Sequence, residues 1–266
     1  MTRILAWLVV AFAVGACSTT SFQKGERIDS VRLNNAVEQD DAGYVRGAVE
    51  AGALSVNQRV PAPAYPDGAP LITVAARAGA INILRYLIAA GADLNSATPV
   101  YETALMLASF FYDGDAGSSR AFERHERAVR MLVEAGAHLE NPHAYSYTPL
   151  AYAAYQGNDR VVRYLIERGA RVNNTAPNGI AYANTPLMMA AIQGNEGIVR
   201  TLLRAGADAD IRVVGGHTAS ELAAKYRHAA VARLLQCAER NSRYSLSADC
   251  RSVLGFDPAA RAVGSR

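Results

Sequence analysis

Thr148-Pro149-Leu150-Ala151-Tyr152-Ala153-Ala154-Tyr155-Gln156-Gly157 is the stretch on which the fold turns. Threonine is suited to cap a helix, and proline is tolerated in the first turn because its missing N–H has no partner to lose there. Ala153 and Ala154 let a second helix approach closely, and Gly157 supplies the left-handed backbone that ends a helix. Downstream, Val161, Val162, Leu165 and Ile166 fall on one face of a second helix, which Gly169 closes. A single pair of helices cannot bury that face by itself; stacked neighbours can.

The unit recurs in both directions. Thr185-Pro186-Leu187, Ala190-Ala191 and Gly194 repeat its first half, and Ile198, Val199, Leu202 and Leu203 its second. Thr103-Ala104-Leu105 and Thr218-Ala219 keep parts of it, while Pro70 to Gly79 keeps Ala75-Ala76 and the glycine. Ala-Gly-Ala or its near copy centres on Gly52, Gly91, Gly136, Gly169 and Gly206, in steps of 39, 45, 33 and 37 residues. Such self-similarity marks a solenoid.

These motifs resemble the T-P-L-H-x-A-A-x-x-G signature of ankyrin repeats. The resemblance implies an all-α ankyrin-repeat solenoid of about five to six helix–turn–helix units joined by hairpin loops. The expected units are 31–54, 66–95, 99–140, 144–173, 181–210 and a C-terminal cap at 214–238. The signature histidine is absent, with Thr73, Met106, Ala151, Met188 and Glu221 in its place, which removes one hydrogen bond between repeats. Asn34, Glu38 and Asp40 suit an outer capping face. Three insertions interrupt the array: Val60 to Pro66, too proline-rich for helix and read as an extended crossing; Tyr112 to Arg120, ahead of a longer second helix; and Asn173 to Asn184 at a fingertip.

Outside the array, the chain opens on Met1-Thr2-Arg3, an apolar run from Ile4 to Val14, and Val14-Gly15-Ala16-Cys17. The run is shorter than the roughly 20 residues that span a bilayer core, and fits a secretory signal. Its end resembles the lipobox of bacterial lipoproteins, which implies lipidation of Cys17; Ser18 in place of aspartate implies the outer membrane, on the periplasmic side. The domain expectation is therefore a signal peptide at 1–16, a lipidated tether at 17–30, the repeat domain at 31–238 and a loosely ordered tail at 239–266. Cys237 and Cys250 either form a disulfide that pins the tail or stand as two thiols.

Charge and motifs narrow the function. Losing Arg3 lowers 27 basic side chains to 26, against 24 acidic. That balance gives no electrostatic case for nucleic acid. No G-x-S-x-G, H-E-x-x-H, C-x-x-C or P-loop pattern occurs, so neither catalysis nor a cofactor has a local signature. Asp113, Asp115, Gly117 and Glu123 make a poor calcium loop, because Ser118 and Arg124 stand where glycine and glutamate are needed. His138 and His143 lack a carboxylate or thiolate to complete a metal site.

In the family resembled, partners bind at hairpin tips before the T-P-L motif and at the two positions after the alanine pair. Carried over, these positions are Tyr101, Glu102, Phe110 and Phe111 in the third unit and Tyr145, Tyr147, Tyr155 and Gln156 in the fourth. Tyr182, Asn184, Ile192, Gln193, His217, Lys225 and Tyr226 follow. The expectation is an aromatic groove for an unidentified protein partner, with burial of the same rings under the insertions as the alternative. The lead functional reading is a membrane-tethered binding module without catalytic activity, with an immunity or inhibitor protein against a secreted effector as its sharper version. An accessory protein for catalase or haem handling and a purely structural envelope lipoprotein are the competing readings.

Overall fold

The computed structural model describes residues 28–110, 119–141, 147–174, 183–213 and 215–239. Within them, helices alternate in pairs: α1 (Ser30–Glu38) with α2 (Ala42–Glu50), α3 (Leu71–Ala78) with α4 (Ile81–Ala89), α5 (Ala104–Ser109) with α6 (Ser119–Glu134), α7 (Pro149–Gln156) with α8 (Asp159–Glu167), α9 (Pro186–Ile192) with α10 (Glu196–Arg204), and α11 (Ala219–Lys225) with α12 (Ala229–Ala238). The first helices of successive pairs pack on each other through α3, α5, α7, α9 and α11, and the second helices through α4, α6, α8, α10 and α12. The result is a two-layered helical solenoid. No described helix is long and apolar enough to cross a membrane.

Local chemistry sets the helix ends. The hydroxyls of Thr103, Thr148, Thr185 and Thr218 each accept the backbone N–H three residues on, capping α5, α7, α9 and α11. Gly157 closes α7 at φ +81°. In the sixth pair Arg227 occupies that left-handed place at φ +67°, where a side chain is strained. Between the layers Leu150, Val161, Val162, Leu165, Val199 and Leu202 are fully buried, as are the alanine pairs at 75–76, 153–154 and 190–191. Each aliphatic side chain so buried stabilises by about 1.5–3 kcal/mol.

Polar side chains tie one pair to the next in place of the missing signature histidine. The N–H groups of Asp93, His138, Arg171 and Asp208 donate to the side chains of Asn57, Asn95, Glu140 and Asn173 in the preceding hairpin, at 2.8, 2.8, 2.7 and 2.9 Å. His228 Nε2 lies 2.9 Å from the carbonyl of Ile192, and its ring covers Gly194 so closely that a Cβ there would meet Nδ1 at 2.4 Å.

Several details differ from the sequence expectation. Asp40 and Asn34 turn toward the second pair instead of an outer face. Asp40, at φ +55°, accepts the N–H groups of Asn82 and Ile83 at 2.9 and 3.0 Å, supplying the cap that Ala80 cannot. Asn34 donates to the Pro61 carbonyl at 3.1 Å. The proline-rich crossing is extended but doubles back, pairing β1 (Arg59–Ala62) with β2 (Tyr65–Pro70) in an antiparallel hairpin. Pro63 and Ala64 make the turn, and Pro61 escapes pairing at an irregularity between Val60 and Ala62. Helix α6 takes in Ser119 and Arg120, the end of the expected loop. Glu239, placed in the tail, accepts hydroxyl hydrogen bonds from Thr218, at 3.2 Å, and Ser220, and so closes the sixth pair.

Candidate functional site: an aromatic surface on the first-helix layer

Helix α7 starts at Thr148 and Pro149, and this start sets which residues share a face: Tyr152 and Tyr155, three apart, emerge together. Phe110 ends α5 with extended backbone, and its ring meets Tyr152 edge-on at 5.4 Å and Tyr155 at 5.8 Å. Tyr147, just before the cap, packs T-shaped on Tyr152 at 5.7 Å. All four rings are half-buried, so they form a continuous surface that still faces solvent. Edge-to-face pairs of this kind contribute about 0.5–1.5 kcal/mol each beyond their buried area.

Glu102 braces the cluster from beneath. Its Oε1 accepts the Tyr152 hydroxyl at 3.0 Å and its Oε2 accepts the Tyr65 hydroxyl at 2.6 Å. Tyr65 is buried on β2, with the Arg77 guanidinium 5.9 Å from its ring centre. Burial first, and the Glu102 carboxylate second, raise the pKa of its phenol far above the ordinary value. Glu102 therefore acts as a support for the surface, with both of its oxygens engaged.

The adjacent fingertip projects from the surface. Tyr101 and Val100 are 50% and 60% exposed, the most exposed large apolar pair in succession among the described residues. Tyr101 has φ +66°, a left-handed conformation that costs a side-chain-bearing residue about 1–2 kcal/mol. The Nδ2 of Asn141 donates to the Tyr101 carbonyl at 2.9 Å and lies 3.4 Å from that of Tyr147, joining this fingertip to the next.

A family model described as ankyrin repeats (3 copies) matches residues 72–176, and another, ankyrin repeats (many copies), matches residues 150–203. Together the two matches span residues 72–203, where the chain is similar to ankyrin repeats. A comparison with curated proteins gave no match. Ankyrin repeats are generally non-enzymatic modules that bind protein partners. The cluster of Phe110, Tyr147, Tyr152 and Tyr155 lies wholly within the matched stretch.

Of the ankyrin-type binding positions, the structure brings Phe110, Tyr147 and Tyr155 together through Tyr152, with Tyr101 beside them through Asn141. Farther along, Gln156 and Asn184 are half-buried, Ile192 packs against the core and Gln193 is exposed. His217, Lys225 and Tyr226 are exposed in the sixth pair. There His217 lies 3.7 Å from Glu221, whose carboxyl is held below its usual range chiefly by the Thr218 N–H. Phe111, Tyr145, Tyr182 and Cys250 lie outside the described residues, as do Cys17 and the expected tether up to residue 27; the last residues of that tether are instead part of the fold, with Asp29 capping α1 and Ser30 beginning it.

Tyr152 and Tyr65 were missed in the sequence reading. Tyr152 occupies the unspecified position before the alanine pair, and its signal was the spacing of three from Tyr155; Tyr65 has no motif. Among the described residues no group of three metal-ligating side chains occurs. Glu123 is exposed on α6, and Asp113, Asp115 and Gly117 lie outside the described residues, as does His143. His138 is exposed at a hairpin whose N–H is taken by Asn95.

Proposed function

We propose that the protein is a lipid-anchored module on the periplasmic side of the outer membrane, capturing a protein partner through the aromatic surface of its third and fourth repeats. The observation that carries the binding reading is the half-buried cluster of Phe110, Tyr147, Tyr152 and Tyr155 beside a strained, exposed Tyr101. Rigid aromatic side chains that leave apolar area open to solvent suit hot-spot contacts, because little rotamer entropy is lost on binding. An immunity or inhibitor protein for a secreted effector is the sharper version, since such a partner would need a preformed surface to meet it.

The same reading extends the array to six units, with 31–54 and 214–238 as its ends, a signal at 1–16, a tether at 17–30 and a tail beyond 238. Support comes from the arginine register, which continues into both end pairs at Arg46 and Arg233, from Gly52 in the first pair and from the Thr218 cap in the sixth. Cys17 carries the anchor in this reading. In the same reading Cys237, on α12, pairs with Cys250 in a disulfide that pins the tail.

Affinity capture from envelope extracts tests the binding reading, comparing wild type with a Phe110→Ala/Tyr155→Ala variant: a partner retained equally by both contradicts it. Membrane fractionation of Cys17→Ala tests the anchor, which is rejected if the variant stays with the outer membrane. Haem handling stays the competing reading: of the described histidines, His125 is buried against the Ala108 carbonyl, His228 meets that of Ile192, His217 faces Glu221 and His138 is exposed.

A further inference from the structure

The second-helix layer carries an arginine at one register of every pair. Arg46, Arg85, Arg130, Arg163 and Arg200 each stand six residues before the Ala-Gly-Ala glycine, and Arg233 continues the series. In the middle pairs an acid four residues back neutralises it: Glu126 at 3.0 Å from Arg130, Asp159 at 2.8 Å from Arg163, and Glu196 at 2.8 Å from Arg200. The second pair has Ile81 in the acid's place, so Arg85 reaches only the side-chain oxygen of Asn82.

Arg85 faces α6 across an open depression of about 540 Å³. Arg127 and Arg130 line its other side, and Glu134 is the one acid among the lining residues. Arg127 is exposed, and neither it nor Arg85 has an ion pair among the described residues. Arg130 is held by Glu126 and by the Tyr164 ring, 4.3 Å from its guanidinium. Ile88 and Met131, half-buried against the core, and Ala89 supply an apolar floor. With Arg130 paired to Glu126, Arg85 and Arg127 stand against the single Glu134, which leaves a net positive field over apolar surface, and a volume of this size lies within the range of small-ligand sites.

We propose that this depression binds an oxyanion, phosphate or carboxylate, borne on an apolar stem. The Arg85 and Arg127 guanidiniums take the anion in forked hydrogen bonds, and the stem lies on Ile88, Ala89 and Met131. Because the site is on the second-helix layer, it leaves the aromatic surface of the first-helix layer free. Both can be occupied together.

The test titrates the purified full chain with dihexanoyl phosphatidate and with inorganic phosphate. In a Cys17→Ala background, it also compares sedimentation with phosphatidylcholine vesicles that contain or lack phosphatidylglycerol. Arg85→Gln/Arg127→Gln is the site variant; Arg163→Gln, at the equivalent but acid-paired position, is the control. The expected result is binding of the soluble amphiphile at least about tenfold tighter than phosphate, lost about tenfold in the site variant and unchanged in the control. Preference for anionic vesicles that disappears in the site variant identifies a lipid headgroup as the source; amphiphile binding without that preference identifies a free ligand. The proposal is overturned if neither probe class binds, if the site variant binds within twofold of wild type, or if inorganic phosphate binds as tightly as the amphiphile.

Discussion

The Tyr152 hydroxyl donates to Oε1 of Glu102 at 3.0 Å, across 50 residues of sequence, and so fixes an exposed aromatic surface to the hairpin before it. The other oxygen of Glu102 takes Tyr65 at 2.6 Å, and one carboxylate thereby sets the position of two rings. Removing it leaves a buried phenol without its acceptor. Glu102→Ala is expected to destabilise the fold by about 1–3 kcal/mol in urea denaturation, with Glu102→Gln losing less because an acceptor remains.

The same pair sets an alkaline limit. Because the folded-state pKa of Tyr65 is raised, the unfolded chain releases this proton first; the associated stability is complete below the ordinary value of 10.0 and falls as pH rises above it. Stability against pH should therefore decline above that value in wild type and decline less in Tyr65→Phe. Equal slopes would remove Tyr65 from the account.

Glu140 gives the opposite kind of test. It takes the ladder place that Asn95 and Asn173 hold elsewhere, and burial raises its pKa from 4.5 despite the Arg171 N–H and guanidinium. An acid whose folded pKa is raised contributes most below its unfolded pKa and loses that contribution as pH rises through the folded value. Glu140→Gln keeps the acceptor for Arg171, so it should stabilise by up to about 1 kcal/mol at neutral pH. That gain should vanish below pH 4.5, as read from melting temperatures across the range.

Two backbone positions separate conformational strain from steric contact. Gly194→Ala meets both φ +70° and the His228 ring at 2.4 Å, whereas Gly206→Ala meets only φ +95° with nothing within 4 Å. The first should cost about 2–4 kcal/mol and the second about 1 kcal/mol. Adding His228→Ala should recover part of the first loss and none of the second. By the same conformational argument Arg227→Gly should raise stability by about 0.5–1 kcal/mol, since Arg227 holds φ +67° where earlier pairs place glycine.

The helix pairs were legible in the sequence because their signals are local: Thr148 caps the residue three on, Gly157 ends the helix it follows, and Leu165 repeats Val161 one turn later. The links between pairs were less so. Asp40 caps a helix 42 residues away, and Tyr152 reaches back 50 residues to Glu102, through insertions whose folded lengths no periodicity fixes. The hairpin ladder did leave a trace, since Asn95, Glu140 and Asn173 each stand four residues after a repeat glycine. On the aromatic surface, the family positions located Phe110, Tyr147 and Tyr155, but not Tyr152, the ring that joins them, or the hidden role of Glu102.

The most direct measurement is partner capture by Tyr101→Gly, made beside its melting temperature. Glycine accepts φ +66° without strain, so the substitution removes an exposed ring and relieves the backbone that carries it. A strained tyrosine kept for contact predicts a variant no less stable than wild type that binds its partner at least about tenfold more weakly. Undiminished capture by the equally stable variant would contradict the binding surface assigned here.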